Sequence, residues 1–299
     1  MRKILYSLSL IIAIFTFTFV LFNLIPANPA RIILGPSAPE DAVKKLEKEL
    51  GLDKPKHIQF LNEFFNLLKL NFGNSTISKK PVGKQVLDRL KNSFKLIFFT
   101  LSIAIAISYT LNLIAFFYPK LNPVINLTQF GVILPTFVSS IAIATLISIL
   151  FPNISLRYEP QNIQTLILPA LILSFYPTAV LTHILHNKIN EAINSDYFKS
   201  SCALGFPKNY LFHKIALKSA LVSFLSAWVN LLGIAFFSTI TIEIIFTIPG
   251  IGPLLVESIT QKDFPTLKAI VLLNATFFII INTIADFIYP KIDPKLKHD

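Results

Sequence analysis

The sequence predicts an all-α integral membrane protein of about six transmembrane helices. Composition is the first reason: of 299 residues, 53% are hydrophobic and 14% charged, and the mean hydropathy is +0.63, far more apolar matter than one soluble core needs. Apolar runs are the second, because stretches near the roughly 20 residues that cross about 30 Å of hydrocarbon recur along the chain. The third is a polar interruption, EAINSDYFKSSCALGFPKNYLFHKIALKSAL at residues 191–221, set between two such runs. Each Lys, Arg or Asp at a helix centre in lipid costs roughly 2.5–3.5 kcal/mol, so this stretch has to lie outside the bilayer.

The first run, 4–25, follows Arg2 and Lys3 in the manner of a secretion signal. It is too long for a signal core and has no small-residue cleavage site before Pro26, so it reads as a retained span. Residues 26–93 follow as a small extracytoplasmic helical module. Within it, 38–50 predicts a helix with a charged face stopped by Gly51, and 58–70 a second amphipathic helix. A core of five further spans occupies 94–289, with runs near 94–118, 124–151, 164–187, 219–240 and 267–289. It includes the polar loop 188–218 and a facing loop 241–266, and a tail 290–299 follows it.

An even number of spans puts both termini on one side, and basic residues say which. Arg2, Lys3, Lys120, the five lysines between 188 and 218, Lys291, Lys295 and Lys297 fall together, whereas the facing short loops hold Arg157, Lys262 and, at a membrane edge, Lys268. The termini and the 188–218 loop are therefore expected in the cytoplasm. Residues 26–93 carry many lysines on the other side, but long loops translocate largely regardless of charge. The net charge of +11 is mostly these two lysine populations and gives no support to a nucleic-acid partner.

Inside the polar break, Glu191, Asp196, Lys199, Lys208, Lys214 and Lys218 interleave with Tyr197, Phe198, Leu204, Phe206, Leu211, Phe212, Ile215 and Leu217 at spacings that give short amphipathic helices. Gly205 ends one helix and Pro207 suits the first turn of the next. Asp196, Tyr197 and Lys199, the small residues Ser200, Ser201, Cys202 and Ala203, then Gly205, and later Ile215 followed by ALKSAL at 216–221, which holds Leu217, resemble the cytoplasmic loop of permease subunits of binding-protein-dependent ABC importers, dipeptide/oligopeptide branch. Ser201 stands where that family usually has alanine, and Cys202 and Leu204 where it is often basic.

Further segments resemble the same family. TIEIIFTIPGIGPLL at 241–255 is similar to its E-x-x-F-x-x-P-G-x-G loop, with Glu243, Phe246, Pro249, Gly250 and Gly252 in register. Pro249, Gly250 and Gly252 favour a non-helical turn, which near membrane depth survives only under protein or water, as in a re-entrant or capping loop. Glu243 either contacts substrate or binding protein, or makes a buried structural hydrogen bond. The last run closes on Asn282, Asp286, Tyr289, Asp293, Pro294 and Lys295, similar to the family's ending. ELGLD at 49–53, with Pro26, Pro29, Pro55, Gln59 and Phe60, and Gly73, Ser75, Pro81 and Val82 resemble its first loop. Pro135 in the third span and LPAL at 168–171 extend the likeness over nearly the whole chain.

The resemblance implies a type I importer permease that moves short peptides inward by alternating access. It implies a second homologous permease, in a heterodimer, and two cytoplasmic ATPase subunits that grip the 196–212 helices and carry ATP and Mg²⁺. An extracytoplasmic binding protein completes the set. The same branch serves nickel, glutathione and other small solutes, and an ATP-independent carrier or a membrane scaffold stays open. An enzyme is not expected, because the sequence has no Gly-rich P-loop, no HExxH and no GxSxG. His183 and His186 lie one helical turn apart with no carboxylate or thiolate placed to join them, so no metal site is expected. Cys202, the single cysteine, excludes an intramolecular disulfide. Asn112, Ser139, Ser140, Thr145, Ser174, Thr178, Ser226, Asn230 and Asn274 within the spans either line a translocation path or, as most of them read, make interhelical contacts.

Overall fold

A computed structural model describes residues 2–24, 28–35, 37–152 and 157–292, with backbone alone for residue 2 and residues 288–292. Pro26, Asp293, Pro294, Lys295 and Lys297 lie outside the described residues. The described chain is helical, with one isolated antiparallel bridge between Asn74 and Pro81. In order the helices are α1 (Arg2–Leu24), α2 (Pro29–Leu34), α3 (Glu40–Glu49), α4 (Lys56–Leu68), α5 (Val82–Phe117), α6 (Asn122–Leu127), α7 (Phe130–Ile133), α8 (Thr136–Leu150), α9 (Ile167–Leu173), α10 (Phe175–Asn194), α11 (Asp196–Ala203), α12 (Lys208–Tyr210), α13 (Leu217–Ile245), α14 (Ile251–Thr260) and α15 (Phe264–Ile292). Among the described residues four helices are long and apolar enough to cross a membrane, and up to six spans result if each of two bent pairs counts as one.

The bends are where sequence and structure differ. The expected span 124–151 is broken, with Pro119–Ile133 and Thr136–Leu150 meeting at 106°. Pro135 is the reason: it excludes its predecessor from the helical region, and Leu134 sits extended at φ −81°, ψ 127°. The span 164–187 also bends, by 57° between Ile163–Leu173 and Phe175–Asn194, where Pro177 has no N–H to continue the ladder. Conversely, no helix begins at the 93/94 boundary, because α5 runs unbroken from Val82 and passes through it, although backbone contacts divide the chain close by, between Lys91 and Asn92. Lys84, Asp88, Arg89 and Lys91 end an apolar run and not a helix. At about 1.5 Å per residue α5 is roughly 54 Å long, well beyond a 30 Å hydrocarbon core.

Backbone contacts divide the chain into two compact units, Met1–Lys91 with Pro249–Thr283, and Asn92–Ile248 with Ile284–Asp299. In the first, the module after α1 is not free-standing. The α4 rings Phe60 and Phe64 pack on Phe15 of α1 at 5.1 and 5.5 Å, and Phe60 meets Phe19 at 5.2 Å. Glu63 pairs with Lys268 of α15 at 3.1 Å, and Lys268 lies 5.5 Å over the Phe22 ring. Asp263, before α15, accepts hydrogen bonds from Ser75 Oγ (2.6 Å), Thr76 N (2.9 Å) and Thr266 Oγ1 (2.7 Å). Burial opposes its ionisation, but the bonds from Ser75, Thr266 and Thr76 outweigh that and hold the carboxyl below its ordinary range.

In the second unit, α10 and α13 pack side by side, and one apolar cluster gathers Leu96, Leu166, Ile172, Ile242, Phe246 and Ile248. Asn112 Nδ2 donates to Thr182 O across α5 and α10 at 3.2 Å. Gly131 of α7 lies so near α10 that a Cβ there would stand 2.8 Å from Phe175 O and 2.9 Å from Ala179 Cβ.

Candidate functional site

The polar break folds as a capped helix, a glycine turn and a second helical stretch. Ser195 is extended (φ −70°, ψ 149°) and its Oγ accepts from Phe198 N at 3.2 Å, so it caps α11, while Asp196 lies in the positive first turn. At the other end Phe206 N reaches Ser201 O (3.4 Å) and Gly205 N reaches Cys202 O (3.0 Å), the paired bonds of a Schellman cap. Gly205 adopts φ +82°, and a Cβ there would meet nothing within 4 Å; the glycine is required by conformation, not by space. Pro207 then precedes α12, which passes through a π-helical turn, Leu211–Ala216, into α13. Single π turns recur at functional sites.

One face of this loop is anchored. Phe198, Leu211, Phe212, Ile215 and Ala216 are buried with Leu185, Ile189 and Ala192 of α10, against Tyr109, Leu113 and Phe116 of α5. The Phe116 and Phe212 rings lie 5.1 Å apart. Tyr109 Oη lies 2.7 Å from His213 Nε2, and His213 Nδ1 lies 3.0 Å from Asn209 O. A carbonyl only accepts, so Nδ1 carries the hydrogen, which leaves Nε2 facing the tyrosine hydroxyl. Sequence reading assigned nothing to Tyr109 or His213, since neither spacing nor composition links a span tyrosine to a loop histidine 104 positions on.

The other face is open. Asp196, Tyr197, Ala203, Gly205 and Pro207 are exposed, Ser201 and Ile215 buried and Leu217 half-buried. Tyr197 (70% exposed), Leu204 (77%), Phe206 and Tyr210 make an apolar patch on a polar loop, with the last two rings stacked at 4.8 Å. Exposed apolar surface of this kind marks a contact site.

The 241–255 segment is built inward. Glu243 is fully buried near the end of α13 and Oε1 accepts from Ser93 Oγ of α5 at 2.5 Å; Phe246 and Ile248 are buried beside it. Ile248 N bonds Glu243 O (2.8 Å), Thr247 takes φ +51°, and Tyr158 N bonds Phe246 O (3.0 Å). The irregular turn is shorter than the sequence suggested. It spans 246–250, with Pro249 half-buried and Gly250 buried, and Gly252 is already the second residue of α14. Asn282 on α15 donates to Phe278 O at 2.8 Å and Asp286 is exposed. His183 and His186 bond Thr128 and Asn190, at 3.1 and 3.0 Å.

Known proteins resemble this chain over nearly its full length. Residues 121–298 match the family described as the inner membrane component of binding-protein-dependent transport systems, and residues 1–97 match the N-terminal region of such components. A protein of Brucella abortus named as a permease of a peptide transport system is 26% identical over 309 residues, covering 100% of this chain and 98% of the relative. The glutathione transport system permease protein GsiC of Salmonella typhimurium is 28% identical over 296 residues, covering 97% and 94%. With a helical, multi-span body, a capped loop that offers an apolar face and a family match over most of its length, the chain belongs to the inner membrane components of binding-protein-dependent transport systems, the permeases of type I ABC importers.

Proposed function

We propose that this permease pairs with a second, homologous but different chain and moves short peptides inward through a pathway between the two. The chain itself catalyses no reaction. ATP and Mg²⁺ belong to two cytoplasmic ATPase subunits, and an extracytoplasmic binding protein delivers the substrate. Both termini and the 188–218 loop are cytoplasmic, the basic side of the chain.

The observation that carries this reading is the open face of the 196–212 loop. Tyr197, Leu204, Phe206 and Tyr210 offer apolar contacts, while Phe198, Phe212 and Ile215 root the same loop in α5 and α10. A partner that moves this surface therefore moves the spans. Coupling of this kind requires a lever whose contacts differ between two states, and a loop rooted on one face and open on the other is suited to that role. Asp196, Tyr197, Ser201, Ala203, Gly205, Pro207, Ile215 and Leu217 form or support the lever. Glu243, Phe246, Pro249, Gly250 and Gly252 build the outer closure, and Asn282 and Asp286 are structural in the last span. Short peptides are favoured because one relative is named for peptide transport and another for glutathione, itself a small peptide with free amino and carboxylate ends.

Reconstitution of the chain with its partners in liposomes tests this. Uptake of labelled dipeptides or glutathione that needs both ATP and the binding protein is expected. Uptake without ATP makes the chain a carrier, and nickel transport with no peptide uptake removes the substrate assignment. The exposed Cys202 reports orientation: an impermeant maleimide should label it in inside-out vesicles and not in intact cells.

A further inference from the structure

A cavity of about 750 Å³ opens beside the coupling loop, between the end of α10 and the start of α13. Lys188, Lys214 and Lys218 line it, with Ile215 and Val222 beneath. Glu191 is the one carboxylate in the lining, and it is already paired with Lys188 at 2.6 Å. Lys214 and Lys218 are exposed and stand one helical turn apart. The pocket thus presents an excess of ammonium groups over an apolar floor.

Its height in the membrane follows from the chain. Lys188 is the first Asp, Glu, Lys or Arg after an uncharged run at 160–187, and Lys218 is the last before an uncharged run at 219–242. Two packed helices therefore bring their first charges past the hydrocarbon to the same pocket, at the level of lipid headgroups. A protein contact has no need of that level, whereas basic pockets between spans on the cytoplasmic side suit phosphate headgroups.

We propose that this pocket binds the phosphate of an anionic phospholipid, with the lysines on the phosphate oxygens and Ile215 and Val222 under the glycerol and upper acyl chain. The assignment rests on the proposed function only in placing this surface at the cytoplasmic leaflet.

The test uses the permease with its co-purifying partners in nanodiscs of phosphatidylcholine doped with phosphatidylglycerol, read by mass spectrometry of the lipid retained after extraction. The wild type should retain phosphatidylglycerol selectively. At about 1 kcal/mol, or roughly fivefold, per lysine, K214Q/K218Q should lower that retention about 25-fold. K214R/K218R should keep it, which a folding defect in the glutamine variant would not allow, and K120Q, at a basic position outside the pocket, should leave it unchanged. Equal retention of the two lipids by the wild type, or undiminished retention by K214Q/K218Q, overturns the proposal. So does full displacement by millimolar inorganic phosphate, which makes the pocket a free-anion site. Loss of the ATPase subunits with lipid retained assigns the lysines to a protein contact instead. Both leaflets of the nanodisc have one composition, so a wrong orientation shows in Cys202 labelling and not here.

Discussion

The coupling loop and the outer turn carry equally recognisable residue patterns and orient them oppositely. Of the pattern residues at 196–217, Asp196, Tyr197, Ala203, Gly205 and Pro207 face outward; of those at 243–252, Glu243, Phe246, Gly250 and Gly252 are buried. A motif by itself does not say which way it faces. On the proposed function the first holds its residues for a surface that another molecule can grip, and the second for internal support. Changes in the outer turn should therefore unfold the protein before they impair it, and changes in the coupling loop should impair it while it stays folded.

Glu243→Ala should have the largest effect. It removes the acceptor of Ser93 in a fully buried site and leaves a cavity, together about 3 kcal/mol or more. The expected readout is a lowered unfolding temperature in detergent. A variant that melts like the wild type but does not transport would make Glu243 a working residue of the pathway and break the contrast. Asp263→Asn should follow at about 2 kcal/mol, because an amide cannot accept all three bonds that the carboxylate does. The folded pKa is depressed, so this stabilisation is complete above the ordinary aspartate value near 3.9 and is lost as pH falls through the lower folded value. Melting curves between pH 6 and pH 3 should show the gap between wild type and variant closing at the acid end.

Gly205→Val sharpens the other side of the contrast. A β-branched residue at φ +82° costs about 1–2 kcal/mol, little enough to leave membrane insertion intact. ATP-dependent uptake should nevertheless fall at least about tenfold if the turn sets the angle of the gripped surface. Space is not the constraint, so Gly205→Asn, which tolerates the left-handed region, should keep most activity. Normal uptake by the valine variant would remove the lever assignment.

Much of this was legible in the sequence because membrane physics writes itself in long runs. The apolar stretches, the polar break and the Gly205 stop each follow from a local rule. The bends at Leu134 and Ser174 were less so, since Pro135 and Pro177 stand in apolar runs whose length alone reads as straight spans. Lys84 to Lys91 misled in the opposite sense, because a charge ends hydropathy without ending a helix. Ser75 with Asp263, Ser93 with Glu243 and Tyr109 with His213 are 188, 150 and 104 positions apart, and no periodicity reports such pairs.

Tyr109→Phe asks the finest question, because it removes one hydroxyl and keeps the ring. The phenol oxygen is hydrogen-bonded to His213 Nε2 at 2.7 Å, and its ring lies 6.1 Å from Phe212, so the variant loses the polar tie while the aromatic packing stays. A neutral, part-buried hydrogen bond is worth about 1 kcal/mol, and the fold should tolerate its loss. If that bond stiffens the joint between the coupling loop and α5, ATP turnover should continue while less substrate moves per ATP, by about twofold or more for a 0.5–1 kcal/mol change in coupling. Turnover and uptake falling in equal proportion would instead place the fault in ATPase docking. An unchanged ratio with normal uptake would leave the apolar packing around Phe116, Phe198 and Phe212 as the connection.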